Sequence, residues 1–93
     1  MKLFFEDRFR RLREIADVKT KTEANIAVKN FLEGYNYKSY YTRHWIDKGN
    51  DYADIIYDVG SHTEFFRLRF PNYIEAKQCL EEEYAQNKRK EET

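Results

Sequence analysis

The sequence predicts one α+β domain of element order α-α-β-β-β-α, a three-stranded antiparallel meander with helices packed on it. Three observations carry this. Two early stretches repeat apolar residues at helical spacing. The middle of the chain alternates in the manner of strands, and Lys48-Gly49-Asn50-Asp51 and Gly60-Ser61 punctuate it. A third helical stretch follows Pro71, where an N-cap signal stands.

The first helix is expected over 3–16. Phe5, Phe9, Leu12 and Ala16 fall at i, i+4, i+7 and i+11 with Ile15 beside them, and Arg8, Arg10, Arg11 and Arg13 crowd the remaining surface among Glu6, Asp7 and Glu14. The second helix opens at Thr20, which has capping-box spacing to Glu23. Ala24, Ala27, Val28 and Phe31 share its inner face, and Gly34 supplies the stop.

Strands are expected over 38–47, 52–59 and 63–70. A two-residue turn at Gly60-Ser61 pairs Asp58 with Thr63, Ile56 with Phe65, Asp54 with Arg67 and Tyr52 with Arg69; on the other face it pairs Ile55 with Phe66 and Ala53 with Leu68. The turn at 48–51 sets Ile46 against Ala53 and His44 against Ile55 on the core side, and Trp45 against Asp54 and Arg43 against Ile56 on the other. The third helix takes Asn72 as N-cap with Glu75 three residues on. Tyr73, Ala76, Leu80 and Tyr84 form its stripe, flanked by Ile74 and Cys79. The domain spans 1–86, and 87–93 reads as a solvated tail. The last five elements run in the order of a double-stranded-RNA-binding domain. The similarity ends at that order, because Asn72-Tyr73-Ile74-Glu75 stands where that family opens its last helix with a Lys-rich cluster.

Composition narrows the function classes. Ninety-three residues bury roughly 65% of their unfolded surface, enough for one modest core. Aromatic residues make up 17%, an unusual share, whereas Lys plus Arg and Asp plus Glu balance at 17 each. A dedicated nucleic-acid binder carries a basic excess, because phosphate contacts supply much of its affinity. One cysteine allows no internal disulfide, which points to a cytoplasmic home, and no apolar run approaches the ~20 residues of a membrane span.

No catalytic constellation stands out. His62 and Glu64 share one side of a strand, but catalytic zinc needs a third protein ligand, and neither an HExxH nor a paired-Cys motif supplies one. Ser61 and His62 are adjacent and so point apart. Asp54 and Asp58 lie about 13 Å apart along a strand, beyond the ~5–9.5 Å of paired glycosidase carboxylates. Cys79 reads as a small buried hydrophobe, and no Gly-rich phosphate loop is present. Neither a metal nor a cofactor is expected.

What remains is one sheet face carrying Tyr41, Arg43, Trp45, Tyr52, Asp54, Ile56, Asp58, Phe65, Arg67 and Arg69. Tyr, Trp and Arg dominate protein–protein hot spots, and the same residues stack on unpaired bases. The first expectation is a small non-enzymatic protein, of inhibitor or adaptor type as found among phage and mobile-element accessory proteins, that acts sterically on a protein partner. Arg8, Arg10, Arg11 and Arg13 form a secondary basic patch. The alternatives are a nucleic-acid-binding domain that uses Arg43, Arg67, Arg69, Tyr41 and Trp45, a small hydrolase around His62 and Glu64, and a homodimer formed through exposed aromatics. Whether the first helix covers the aromatic face is a question of packing that the sequence leaves open.

Overall fold

Strand periodicity, rather than helical periodicity, governs the beginning of the chain. A computed structural model, which describes residues 1–34, 43–60 and 63–91 with side chains as far as Ala85, has the order β-β-α-β-β-β-α. The first two elements, β1 (Lys2–Glu6) and β2 (Leu12–Asp17), pair antiparallel, which replaces the expected helix over 3–16. Leu3 and Phe5 alternate into the core while Phe4 and Glu6 face the other way. The helical stripe would have buried Phe9 and Leu12, but these are 69% and 44% exposed.

A turn signal in the side chain of Asp7 explains the difference. Arg10 N–H donates to the Asp7 carbonyl at 2.9 Å and Asp7 N–H to the Arg11 carbonyl at 3.1 Å. The Asp7 carboxylate accepts from the Phe9 and Arg11 amides at 2.8 and 3.0 Å and from Arg11 Nε at 3.0 Å. Arg10 takes φ 62°, the left-handed residue that closes a three-residue hairpin loop.

The hairpin extends the expected three-stranded sheet to five strands. β3 (Arg43–Lys48), β4 (Ala53–Asp58) and β5 (Phe65–Phe70) form an antiparallel meander, and β1 pairs with the free side of β5, giving the order β2-β1-β5-β4-β3. The faces of β3, β4 and β5 are those expected, but both registers move by two residues. Asp54 lies opposite Arg69 rather than Arg67, Ile56 opposite Arg67 rather than Phe65, Ile55 opposite Leu68, and Asp58 opposite Phe65. On β3, Trp45 meets Ile56 and Ile46 meets Ile55. Because side chains alternate with period two, such a shift changes partners without exchanging faces. The last pair of the β4–β5 ladder is Asp58 with Phe65, where the expected two-residue turn pairs Asp58 with Thr63.

The helices α1 (Lys21–Gly34) and α2 (Tyr73–Glu91) begin as the caps require. Thr20 Oγ1 accepts from Glu23 N–H at 3.1 Å and Asn72 Oδ1 from Glu75 N–H at 2.9 Å. Glu23 reaches back one residue further than a capping box prescribes, accepting from Lys19 N–H at 2.8 Å. Both helices lie on one face of the sheet. The Phe31 ring of α1 sits 4.8 Å from Phe5 and 5.4 Å from Phe66, and Ala24, Val28 and Ala76 join Leu3, Ile55, Tyr57, Leu68 and Phe70 in the core.

The β3–β4 turn demands a glycine. Gly49 N–H donates to the Tyr52 carbonyl at 2.9 Å, and a Cβ on Gly49 would come within 2.4 Å of the Tyr52 ring. Gly49→Ala is therefore expected to lower stability by about 1–2 kcal/mol in urea titrations, and adding Tyr52→Ala should cost less in the Gly49→Ala background than in the parent chain.

Candidate functional site

The sheet face opposite the helices is built from three rows of cross-strand neighbours. Glu6, Phe65, Asp58 and Arg43 form one row; Phe4, Arg67, Ile56 and Trp45 the next; Arg69, Asp54 and Asp47 the third. Among the described residues no helix packs on this face.

Its centre is an ion network. Asp54 is fully buried (0% exposed), on the face away from the apolar core. Arg69 meets it with a two-pronged contact, Nε to Oδ1 and Nη2 to Oδ2, both 3.0 Å. Arg67 donates from Nη1 to Asp54 Oδ2 at 3.3 Å and to Asp47 Oδ2 at 2.8 Å, and from Nε to Glu6 Oε1 at 3.0 Å. One guanidinium thus joins carboxylates from β1, β3 and β4. Asp47 and Asp54 are direct cross-strand partners, an arrangement that repels unless a cation stands between them. Burial alone would lower the Arg67 pKa, but its bonds to Asp47, Glu6 and Asp54 outweigh this and hold it above the ordinary arginine value. The bond to Asp54 likewise raises Arg69.

Aromatic rings close over the network. The Arg69 guanidinium contacts two rings, Tyr52 at 4.1 Å and Phe4 at 4.8 Å from the ring centres. Trp45 and Phe65 meet edge to face at 6.0 Å, and Arg43 stacks over Trp45 at 5.3 Å. Together they leave Ile56 only 2% exposed.

Of the residues expected at the site, Arg43, Trp45, Tyr52, Asp54, Phe65, Arg67 and Arg69 come together here, and Tyr41 lies outside the described residues. Phe4, Glu6 and Asp47 join the face without having been expected there: the first two lie in a segment whose Phe5, Phe9, Leu12 and Ala16 match a helical stripe, and Asp47 shares the parity of Arg43 and Trp45 on β3. The basic patch divides. Arg8, Arg10 and Arg11 sit at the hairpin tip, whereas Arg13 lies opposite Phe5 on the helix side, over the Phe31 ring at 5.8 Å. Ser61 and His62 lie outside the described residues, and among the described residues no His, Cys, Asp and Glu side chains gather to hold a metal.

A second polar cluster, on the helix side, gave no sequence signal. Lys21, only 7% exposed, places Nζ 2.6 Å from Glu83 Oε2, 2.8 Å from Asn25 Oδ1, 3.5 Å from His44 Nε2 and 4.5 Å from the centre of the Tyr57 ring. Glu83 Oε2 is buried without a well-angled hydrogen bond, so its compensation is ionic. The Tyr57 hydroxyl donates to Asn25 Oδ1 at 2.8 Å. Burial lowers the Lys21 pKa against the pull of Glu83, and raises those of Tyr57 and Cys79. A cleft of about 380 Å³ lined by Thr20, Lys21, Asn25, Cys79 and Glu83 opens beside the cluster. The Lys21–Glu83 ion pair ties α1 to α2 over the sheet.

No family model, no curated protein and no solved structure matches the chain. Its function must therefore be argued from the two faces themselves.

Two outcomes follow from this geometry. Arg67→Met would strip Glu6, Asp47 and Asp54 of their shared cation and is expected to cost about 3 kcal/mol in chemical denaturation. Burial and the neighbouring Lys21 depress the His44 pKa from 6.5 to about 4. The unfolded chain then binds a proton at pH values where the folded one does not. His44's contribution is therefore fully present above pH ~6.5 and lost as pH falls towards ~4, amounting to about 2 kcal/mol after allowance for partial exposure. His44→Phe should flatten the stability profile across that window.

Proposed function

We propose that the protein is a non-enzymatic binding module whose helix-free sheet face docks on a protein partner and acts by occupying it, as an inhibitor or adaptor does. One observation carries the reading: both helices pack on the same side of the sheet, and the other side bears Trp, Tyr, Phe and Arg held in place before any partner arrives. A sheet face left to water is expected to be polar. This one instead has the composition of an interface core, where aromatic residues and Arg are enriched. Side chains already fixed by an ion network lose little conformational freedom on docking.

The state of the arginines favours a protein over a nucleic acid at this face. Arg67 and Arg69 are committed to three carboxylates, so contact with phosphate would first require breaking those pairs. Arg43 at the rim is the exposed guanidinium of the face.

Affinity capture with the wild-type chain and with an Arg43→Ala/Trp45→Ala variant tests the reading. These two side chains lie outside the ion network, so the variant should stay folded by circular dichroism. The expected result is a discrete protein partner that survives nuclease and is retained about tenfold less by the variant. Equal retention by the variant, or capture abolished by nuclease, would sink this assignment. Light scattering over a concentration range reads whether the partner is a second copy.

A further inference from the structure

A further cluster of exposed basic charge lies away from the sheet face, at the tip of the β1–β2 hairpin. We propose that this tip is a separate binding element for single-stranded nucleic acid, in which Phe9, flanked by the Asp7-paired Arg11, stacks on a base and Arg8 and Arg10 contact the flanking phosphates. This is independent of the protein-docking reading of the sheet face.

Four features support it. Phe9 is 69% exposed, the most exposed of the large hydrophobic side chains among the described residues, and the Arg11 guanidinium lies 5.1 Å from its ring centre. Aromatic rings beside arginine form the platform on which unpaired bases stack, whatever the sequence. Second, the Arg8 and Arg10 side chains are exposed and take no ion-pair or hydrogen-bond partner among the described residues. Third, the nearby carboxylates are occupied. Asp7 is consumed by the Phe9 and Arg11 amides and Arg11 Nε, with the Arg11 amide the main cause of its lowered pKa; Glu6 is held by Arg67 and Glu14 by Lys2. Fourth, Arg10 occupies a left-handed position, φ 62°, where glycine would be easier. The chain holds a long cation where local energetics ask for none, and strain of this kind concentrates at working sites.

Unpaired rather than paired strands follow from the ring. A base within a duplex is already stacked on both faces, whereas a single strand offers its base to Phe9. Arginine suits the phosphates, because its planar fork matches their oxygens. A membrane is the weaker fit, since one exposed ring on a narrow hairpin offers little apolar area for insertion.

The test is fluorescence anisotropy with a labelled oligothymidylate of about 12 nucleotides, from about 20 to 200 mM salt. Binding in the micromolar range is expected, with a log–log salt slope of about −1.4 for two phosphate contacts. Phe9→Ala should weaken it about tenfold, and Arg8→Ala about five- to tenfold at low salt. Arg10→Gly is the decisive variant, because it should raise the thermal midpoint by relieving the backbone while weakening binding, which separates binding from folding. The proposal is overturned if no saturable binding appears at low salt, or if Phe9→Ala or Arg10→Gly binds like wild type. It is equally overturned if a duplex, polyglutamate or phosphatidylserine vesicles compete as well as the single strand.

Discussion

The structure turns on a carboxylate buried where no apolar core surrounds it. Asp54 has no exposed surface, yet it lies on the sheet face away from the helices. An unpaired charge there would be costly, and no backbone amide in the ladder is spare to solvate it. Arg69 from the facing residue and Arg67 from the diagonal one supply the compensation. Arg67 then extends the tie to Asp47 on β3 and Glu6 on β1, so four of the five strands are joined through two guanidiniums. The network explains how two aspartates can face each other on β3 and β4. It also explains why the rings of Phe4, Tyr52 and Trp45 are fixed, since each packs against an arginine whose position is already set or stands at the network's edge. Gly49 belongs to the same construction, because it leaves room for the Tyr52 ring that covers Arg69.

The sequence disclosed faces better than it disclosed partners. Parity along β4 and β5 separates Ala53, Ile55, Phe66 and Leu68 from Asp54, Ile56, Arg67 and Arg69 without ambiguity, and the caps at Thr20 and Asn72 mark where the helices begin. Register was a different matter. Gly60-Ser61 offers a plausible two-residue turn, and a shift of two preserves every polarity rule. Arginine recurs at 67 and 69, so Asp54 finds an opposite charge in either register. Only the added bridge from Arg67 to Asp47 and Glu6 discriminates, and that requires β1 to be a neighbour of β5. The error at the N-terminus therefore concealed the reason for the register downstream.

That error has its own physical source. Phe5, Phe9, Leu12 and Ala16 match a helical stripe, and the strand signal competing with it is only five residues long. The deciding feature is local: Asp7 organises a loop through its own side chain, and Arg10 accepts a left-handed backbone where glycine or asparagine would have announced the turn. The Lys21 cluster was hidden for the opposite reason. Its members come from α1, α2, β3 and β4, and nothing in the spacing of residues 21, 25, 44, 57 and 83 brings them together before the fold exists.

On the two proposals above, zero net charge conceals a division of labour between the sheet face and the hairpin tip. On the sheet face the charges are spent on one another, so the face offers shaped area and little field; what it can contribute to binding is desolvation of rings and rim guanidinium, with specificity set by fixed geometry. At the hairpin tip the balance is reversed. The Arg8 and Arg10 guanidiniums stand beside an Asp7–Arg11 pair that is closed within its own loop, on a projection too narrow to bury much surface. Such a site contributes attraction and on-rate, both of which weaken with salt, whereas the sheet face should respond little to salt. Ionic strength is therefore the variable that separates the two surfaces. A partner held by the sheet face should persist at salt concentrations that empty the tip.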